Sequence, residues 1–316
     1  MPELPEVEVV RSGIVSHALG RVIESVSVLD ERSVRRSDGG SARFEALLPG
    51  LKIMDVARRG KYLWLLLGDS AGQLLDEALV VHLGMSGQVL FKTADFPPEK
   101  HLKIVLELGA AQESATQLRF IDQRIFGGMY IDTLVETTDS AGASVAAASR
   151  SELGAAVLPS SVAHIARDPL DPHFDVAAFR KKMLRTSSGI KRLLLDQSVI
   201  SGVGNIYADE ALWQAKLHYA KPARSVSAAP TRDLILAVQR VMEAALEAGG
   251  TSFDYLYVNV NGQSGYFDRS LNAYGQAGKP CKRCLANGIS SIMVREPFMG
   301  RSSYRCPRCQ RKPRGL

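Results

Sequence analysis

The apolar residues near the start of the chain are spaced as on one face of a helix. In residues 6–20, Val7, Val10 and Ile14 recur every three or four positions, and Gly20 follows the last apolar residue. This spacing, with a glycine at its end, predicts an amphipathic helix.

The next part of the chain has the pattern of strands. Short runs rich in Val, Ile and Leu are separated by Gly, Pro and polar residues, with no helical segment between consecutive runs. Parallel strands need crossover connections, so the pattern predicts an antiparallel sandwich rather than a doubly wound sheet. The predicted strands are residues 21–30, 51–57, 61–67, 78–84, 102–109 and 117–123.

Beyond residue 136 the pattern changes twice. Residues 137–161 are small and polar, which is typical of an interdomain linker or inserted loop. Helical spacing then follows, and it predicts a helical domain. The predicted helices are residues 174–186, 189–197, 205–215 and 230–250. The predicted domains are an N-terminal domain (1–136), the linker (137–161), the helical domain (162–278) and a C-terminal segment (279–316).

Neither the length nor the opening residues indicate a membrane protein. A chain of 316 residues with 46% hydrophobic composition has material for about two globular domains. No apolar run is long enough to cross a membrane, and the first ten residues are acidic rather than a signal sequence. We therefore expect a cytosolic protein.

Charge and cysteine content are concentrated at the C-terminal end. The formal net charge is +6, but residues 279–316 alone hold ten Lys or Arg and one acid, Glu296. The same segment holds all four cysteines. Clustered basic residues indicate a polyanionic partner more strongly than the overall charge does.

The cysteines form two C-x2-C pairs. Cys281 and Cys284 are separated by 21 residues from Cys306 and Cys309. Four thiolates in this arrangement predict a closed, tetrahedral structural zinc site in a zinc-ribbon β-hairpin. Two disulfides are the alternative, but disulfides are rare in cytosolic proteins. The tip of the predicted hairpin carries Arg301, which would be either an anion-binding group or a solvated charge.

The first eight residues, MPELPEVE, contain two prolines and three glutamates. If Met1 is removed, Pro2 begins the chain with a secondary amine, a nucleophile that forms an iminium with a carbonyl-like carbon. The pKa of a terminal amine is about 8, so more of it is unprotonated near neutrality than of a lysine. Glu3 and Glu6 would then be acids placed around the amine. The alternative is a proline-led helix start with favourable acidic charge.

Seven segments, in order from one end of the chain to the other, resemble formamidopyrimidine-DNA glycosylases. The resemblance implies a mixed β and α fold with a helix-two-turn-helix domain after the sandwich. It also implies a bifunctional enzyme of base-excision repair, which removes formamidopyrimidines and 8-oxoguanine opposite C and then cuts the abasic strand by β,δ-elimination. The segments are MPELPEVEVV (1–10), ARRGKYLWLLL (57–67), VVHLGMSGQ (80–88), IDQRIFGG (121–128), SGVGNIYADEALW (201–213), GYFDRSLNAYGQAGKPC (265–281) and FMGRSSYRCPRCQ (298–310).

The resemblance implies a role for individual catalytic residues. Pro2 matches the nucleophile that attacks C1′ of the damaged nucleotide. Glu3 matches the acid that assists sugar-ring opening and proton transfer, and Glu6 matches a second functional carboxylate. Lys61 and Arg301 match residues that hold DNA phosphates, although Lys61 could also be a solvated lysine at the start of a strand.

Further residues match DNA contacts of the family. Met85, Arg124 and Phe126 match the three residues that fill the gap left by the extruded nucleotide, with the arginine facing the orphaned cytosine. Without the resemblance, Met85 and Phe126 would be interpreted as core residues. His82 matches a DNA contact or is a core histidine. Asn205 matches a phosphate contact and could also be a helix N-cap.

The resemblance implies the partner and the cofactor as well. We expect double-stranded DNA with oxidised bases or abasic sites, one structural Zn²⁺, and a monomer associated with the bacterial nucleoid. Residues 251–266 match a mobile loop that caps the lesion. The sequence departs from the family pattern at Ile125, where a basic or polar residue is expected, and in a hairpin about five residues longer than usual. Residues 68–79 and 137–151 are interpreted as insertions.

Two other functions remain compatible with the sequence. The related endonuclease VIII type also uses an N-terminal proline but removes oxidised pyrimidines. A catalytically inactive paralogue would bind damaged DNA without cutting it. The PELPE opening and the residues Met85, Arg124 and Phe126 favour the purine enzyme. An active enzyme is favoured by the presence of Pro2, Glu3, Lys61 and Arg301.

Overall fold

The chain folds into two compact units in a computed structural model. The first unit comprises Met1–His164 and Gly249–Gly265, and the second comprises Ile165–Ala248 and Tyr266–Leu316. The residues that the structure describes are 2–109, 115–138, 144–250, 259–262 and 267–313.

The first unit begins with a helix and continues mainly as strands. Helix α1 spans Leu4–Ala18 and helix α2 spans Gly40–Leu47. A short 3-10 helix, Glu31–Val34, precedes α2. The strands are β1 (Ile23–Val28), β2 (Lys52–Arg59), β3 (Tyr62–Gly68), β4 (Leu74–His82), β5 (Gly87–Lys92), β6 (Leu102–Leu108), β7 (Gln117–Asp122), β8 (Gly128–Glu136) and β9 (Val157–Pro159).

These strands form two antiparallel sheets, which confirms the predicted sandwich. Among the described residues, one sheet has the order β1-β6-β7-β5 and the other has the order β2-β3-β4-β8-β9. Alternate residues of each strand, such as Leu63 and Leu65 in β3 and Leu118 and Phe120 in β7, are buried in one shared apolar core. Helix α1 adds Val7 to this core. Burial of the two inner faces against each other therefore explains the layered fold.

The structure adds elements that the hydrophobic pattern did not predict. Helix α2 and strands β5, β8 and β9 were not expected, and β4 begins at Leu74, within the segment interpreted as an insertion. Strand β9 lies in residues 137–161, the expected linker, and pairs with β8 through Val135 and Leu158. A three-residue strand is held by main-chain hydrogen bonds to its neighbour, so it leaves little pattern in the sequence.

The second unit contains the predicted helices and the hairpin. Buried residues of its longest helix, among them Leu234, Val238, Val241 and Ala245, recur with helical spacing. No helix in the described part of the chain combines the length and apolar composition needed to cross a membrane. The elements are α3 (Val176–Leu184), α4 (Ile190–Leu194), α5 (Asn205–Gln214), α6 (Ala228–Glu247), α7 (Lys282–Ala286), β10 (Val294–Phe298) and β11 (Arg301–Arg305).

Candidate active site and nucleic-acid interface

The two glutamates that follow Pro2 are joined to each other at the start of helix α1. Glu3 is the N-cap residue, and its carboxylate accepts a hydrogen bond from the main-chain N–H of Glu6. In return, the Glu6 carboxylate accepts from the main-chain N–H of Glu3 at 2.8 Å. This capping box satisfies two main-chain donors of the helix end. It also fixes the direction in which Pro2, the preceding residue, leaves the helix.

Both of these carboxylates are buried beside the chain end. Glu3 is 3% exposed and Glu6 is 7% exposed. Gly250 lies in the second segment of the first unit, Gly249–Gly265, and adopts φ +88°. A Cβ built at Gly250 would lie 3.5 Å from Cγ of Glu6. The main chain of Gly250 therefore lies against Glu6, a contact that the sequence analysis did not predict. Two buried acids beside a terminal residue form a suitable place for proton transfer.

A buried ion-pair network lies one turn further along α1. Nε of Arg58 donates to Oε2 of Glu8 at 2.6 Å, and Nε of Arg11 donates to Oε1 of Glu8 at 2.9 Å. Arg58 also donates to the carbonyl of Gly60 at 2.9 Å. Gly60 precedes Lys61 in the turn between β2 and β3. The network therefore connects the helix that carries Glu3 and Glu6 to the turn that carries Lys61.

The predicted gap-filling residues lie on two neighbouring turns. We call residues 83–87 the Met85 turn and residues 122–128 the Arg124 loop. The Phe126 side chain is 49% exposed. The guanidinium carbon of Arg124 lies 4.9 Å from the centroid of the Phe126 ring. Phe126 is therefore a surface residue and not a core residue. Met85 is half-buried.

The two turns approach each other at glycine positions. Gly84 adopts φ +60°, and a Cβ at this position would overlap the main chain of Gly127. A Cβ at Gly127 would in turn lie 2.5 Å from the carbonyl oxygen of His82. Side chains at these positions would push the turns apart, so glycine allows the close packing. The Met85 turn and the Arg124 loop are therefore packed directly against each other.

Asp122 holds the Arg124 loop from within the protein. Its buried carboxylate accepts hydrogen bonds from the main-chain N–H of Arg124 at 3.1 Å and of Gly127 at 2.8 Å. It also accepts from the hydroxyl of Ser86 in the Met85 turn at 2.5 Å. Neither Asp122 nor Ser86 is indicated as a functional residue by the sequence pattern. The only sequence feature that could have indicated a role for them is their position, Ser86 directly after Met85 and Asp122 two residues before Arg124.

Ile125, the departure from the family pattern, has an unusual main-chain conformation. Its φ of 55° lies in the left-handed region. A non-glycine residue there costs roughly 1–3 kcal/mol and persists only where neighbouring contacts impose the conformation. The β-branched side chain of isoleucine makes the cost larger. The hydrogen bonds to Asp122 are among the contacts that impose it.

His82 lies at the end of β4, opposite Gly128 of β8. Its ring is 5.0 Å from that of Tyr62, centroid to centroid. Burial, together with the positive charges of Arg36 and Arg35, lowers the pKa of His82 from 6.5 to about 4. The imidazole is therefore neutral near pH 7. Its Nδ1 atom is buried and has no hydrogen-bond partner among the described residues.

In the second unit, the structure brings Asn205 next to the hairpin that carries Arg301. The Asn205 side-chain amide donates to the carbonyl of Ser302 at 3.0 Å. Gly204, and not Asn205, is the N-cap residue of α5. Arg301 begins β11 and is exposed. Two of the residues matched to phosphate contacts, Asn205 and Arg301, are thus neighbours.

An ion pair that the sequence analysis missed attaches the hairpin to α5. Lys191 and Asp209 form a fully buried pair with an N–O distance of 2.7 Å. Asp209 also accepts from the hydroxyl of Ser303 at 2.8 Å and from the main-chain N–H of Tyr304 at 3.0 Å. The strand that begins at Arg301 is therefore held in place by a carboxylate on the helix.

The four cysteines converge as predicted. Their sulfur atoms all lie within 4.8 Å of one another, and individual Sγ–Sγ distances include 3.7 Å for Cys281–Cys309 and Cys284–Cys306. Sulfurs bound to one tetrahedral zinc ion lie roughly 3.8 Å apart, given a Zn–S distance of about 2.3 Å. The donor set and its spacing fit a single metal ion. The indole N–H of Trp213 donates to Cys281 Sγ at 3.4 Å.

Comparisons with known proteins agree over nearly the whole chain. Family models match the formamidopyrimidine-DNA glycosylase N-terminal domain at residues 1–129 and the H2TH domain of the same enzymes at residues 165–255. A formamidopyrimidine-DNA glycosylase of Kineococcus radiotolerans is 52% identical over 314 residues, covering 99% of each chain.

Solved structures resemble the chain as well. A Lactococcus lactis Fpg in complex with DNA containing an abasic site has a TM-score of 0.77 and 28% identity, covering 98% of this chain and 100% of that one. A mutant of the same protein in complex with Fapy-dG containing DNA has a TM-score of 0.78 and 29% identity, with the same coverage. The similarity therefore extends across both units.

Proposed function

The chain belongs to the formamidopyrimidine-DNA glycosylase family and is a base-excision-repair glycosylase with abasic-site lyase activity, and we propose that Pro2 is its nucleophile. The proposed substrate is double-stranded DNA that contains formamidopyrimidines, 8-oxoguanine opposite C, or abasic sites. The observation that carries the proposal is the pair of buried carboxylates, Glu3 and Glu6, joined by a capping box beside Pro2.

The proposed reaction begins at the free amine of Pro2, after removal of Met1, which lies outside the described residues. Its nitrogen forms a bond to C1′ of the damaged nucleotide while the bond from C1′ to the base breaks, and the departing base takes up a proton. Opening of the sugar ring gives an iminium between Pro2 and C1′. Glu3 would donate the proton that the ring oxygen needs, and Glu6 would hold Glu3 and the chain end in place.

Strand cutting follows from the iminium. Loss of a proton from C2′ expels the 3′ phosphate, and a second elimination, with loss of a proton from C4′, expels the 5′ phosphate. Water then releases Pro2 from the remaining sugar fragment. We propose that Lys61 and Arg301 hold the phosphates near the reacting sugar, because cationic groups stabilise the charge that develops there.

The base must leave the helix before this reaction. Extrusion costs a few kcal/mol, and the gap in the base stack must be filled. We propose that Met85 and Phe126 enter the gap and that Arg124 faces the orphaned cytosine. The exposure of Phe126 and the packing of the two turns support this role.

The remaining matched residues would hold the DNA and the hairpin. We propose that His82 and Asn205 contact phosphates, Asn205 from a position directly beside Arg301's strand. Cys281, Cys284, Cys306 and Cys309 would hold one zinc ion, which stabilises the hairpin. The lesion-capping loop expected at residues 251–266 lies largely outside the described residues and carries no part of the proposal.

Borohydride trapping on an 8-oxoguanine:C duplex tests the nucleophile. Borohydride reduces an iminium to a stable covalent link, and mass spectrometry should locate the adduct on residue 2 of a chain without Met1. The variant Pro2→Gly should give much less adduct. The matched control Glu31→Gln, which removes an exposed acid of the same unit, should trap like the wild type.

Other outcomes would change the proposal. An adduct on a lysine, with Pro2→Gly still active, would contradict the role of Pro2. Trapping on a thymine-glycol duplex but not on 8-oxoguanine would assign the chain to the pyrimidine-specific type. Binding to both duplexes without any adduct would indicate a protein that binds damage without cutting it.

A further inference from the structure

The side chain of Arg35 bridges the 3-10 helix Glu31–Val34 and the Arg124 loop. Its Nη1 donates to the carbonyl of Arg32 at 2.6 Å and to the carbonyl of Gly127 at 3.1 Å. Its Nη2 donates to the carbonyl of Phe126 at 3.1 Å. One guanidinium thus binds two successive carbonyls of the loop and one carbonyl of the 3-10 helix that Arg35 follows.

Arg35 and Asp122 hold opposite kinds of groups in the same loop. The Asp122 carboxylate accepts from the N–H groups of Arg124 and Gly127, whereas the Arg35 guanidinium donates to the carbonyls of Phe126 and Gly127. A peptide unit whose N–H and C=O groups are both bound to charged side chains has little freedom to rotate. The directions of the Arg124 and Phe126 side chains are therefore set by two charged groups.

The strained residue lies between these anchors. Ile125 adopts φ 55°, a conformation that an isoleucine keeps only when its neighbours impose it. Gly128 completes the anchoring, since its φ of 154° brings the main chain against the Ser33 carbonyl of the 3-10 helix, where a Cβ would overlap. The Arg124 loop is thus fixed to that helix by Arg35 and by close main-chain packing.

We propose that Arg35 is a positioning residue that holds Arg124 and Phe126 in the orientation needed to fill the gap and face the orphaned base. The inference rests on the proposed function of those two residues. Arg35 acts through the loop carbonyls and does not itself touch the reacting atoms. Its planar guanidinium is required, because a lysine ammonium cannot bridge three carbonyls in this geometry.

Arg36 is the natural control, because it follows Arg35 directly and carries the same charge. Both arginines are exposed. The Arg36 guanidinium carbon lies 5.7 Å from the ring centroid of Tyr130. Tyr130 is not part of the Arg124 loop, so this contact does not involve the loop. Arg35→Gln and Arg36→Gln therefore remove equal positive charge from nearly the same place, and only the first removes the hydrogen bonds to the loop.

The test measures single-turnover excision of 8-oxoguanine opposite C and opposite A, and cutting of a duplex with a natural abasic site. Loss of charge-assisted hydrogen bonds to the loop should lower excision opposite C about tenfold in Arg35→Gln. The ratio of rates opposite C and A should move toward one, because Arg124 no longer faces the cytosine correctly. Cutting of the abasic duplex should fall much less, since no stacked base has to be displaced.

The control variants separate positioning from charge and from folding. Arg36→Gln should keep the wild-type ratio of rates, and Arg35→Lys, which keeps the charge, should behave like Arg35→Gln. A wild-type ratio in Arg35→Gln or in Arg35→Lys would overturn the inference, as would an equal change of the ratio in Arg36→Gln. A wild-type protein that excises neither substrate would instead contradict the proposed function.

A second variant, Ile125→Gly, tests whether Arg35 acts through the conformation of Ile125. This test remains informative even if Arg35→Gln lowers the stability of the protein. Glycine adopts a positive φ readily, so Ile125→Gly removes the strain that Arg35 helps to impose. The effect of Arg35→Gln on the ratio of rates should therefore be smaller in the Ile125→Gly background than in the wild type. Equal effects in both backgrounds would show that Arg35 does not act through the conformation of this loop.

Discussion

Replacing Asp209 by alanine should detach the hairpin strand β11 from helix α5. The Asp209 carboxylate is fully buried with the Lys191 ammonium at 2.7 Å, and it also accepts hydrogen bonds from Ser303 and Tyr304. Burial raises the pKa of Asp209, although Lys191 opposes this shift. The carboxylate therefore carries a desolvation cost that its partners offset. Removing it leaves the lysine buried without that carboxylate.

The size of the effect follows from this burial. Removal of one partner from a buried ion pair costs about 3–5 kcal/mol, because the other charge stays in the protein interior. Removing both charges is less harmful than removing one. The double variant Lys191→Met/Asp209→Ala should therefore be more stable than the sum of the single effects predicts, by about 1–3 kcal/mol.

Urea unfolding measures these differences in the unit that contains the pair. The chain has two tryptophans, and a Trp64→Phe background leaves Trp213 of α5 as the reporter. Glu296→Ala is the matched control, because it breaks a hairpin ion pair at 2.6 Å whose glutamate side chain is 31% exposed. That change should cost about 1 kcal/mol. Equal losses in Asp209→Ala and Glu296→Ala would refute the argument from burial.

Two further predictions concern the metal and the pH. A zinc chelator should release one metal ion per chain and unfold the hairpin, since structural zinc contributes on the order of 10 kcal/mol. The emission of Trp213 should change as well, because its indole donates to Cys281. Atomic absorption measures the metal release, and unchanged emission after that release would contradict the prediction. Because burial lowers the pKa of His82 from 6.5 to about 4, its contribution to stability is complete above pH 6.5 and is lost as the pH falls toward 4. This loss should be about 1–3 kcal/mol and absent in His82→Gln. Urea unfolding in a Trp213→Phe background, which leaves Trp64 as the reporter, measures the loss at each pH. Parallel pH curves for the proteins with and without His82 would contradict the prediction.

The parts of the site that the sequence predicted depend on residues close together in the chain. The C-x2-C pairs, the helical spacing of apolar residues and the short apolar runs are local patterns, and the structure confirms the hairpin, the helices and the sandwich that they predicted. The family resemblance supplied the roles of Pro2 and of the gap-filling residues. These roles remain proposals that the experiments above test.

The sequence alone determined most of the strands, the longer helices, the cysteine cluster and the identity of the chemical groups, because periodicity and short spacings act through local geometry. It did not predict α2, β5, β8 or β9. Only the tertiary structure decided which charged side chains support them. Glu8 and Arg58 are 50 positions apart, Phe126 and Arg35 are 91 apart, and Asp209 and Ser303 are 94 apart. A buried charge needs a partner, but neither periodicity nor spacing indicates which distant residue supplies it. That choice is made when the sheets and helices pack and remove both groups from water.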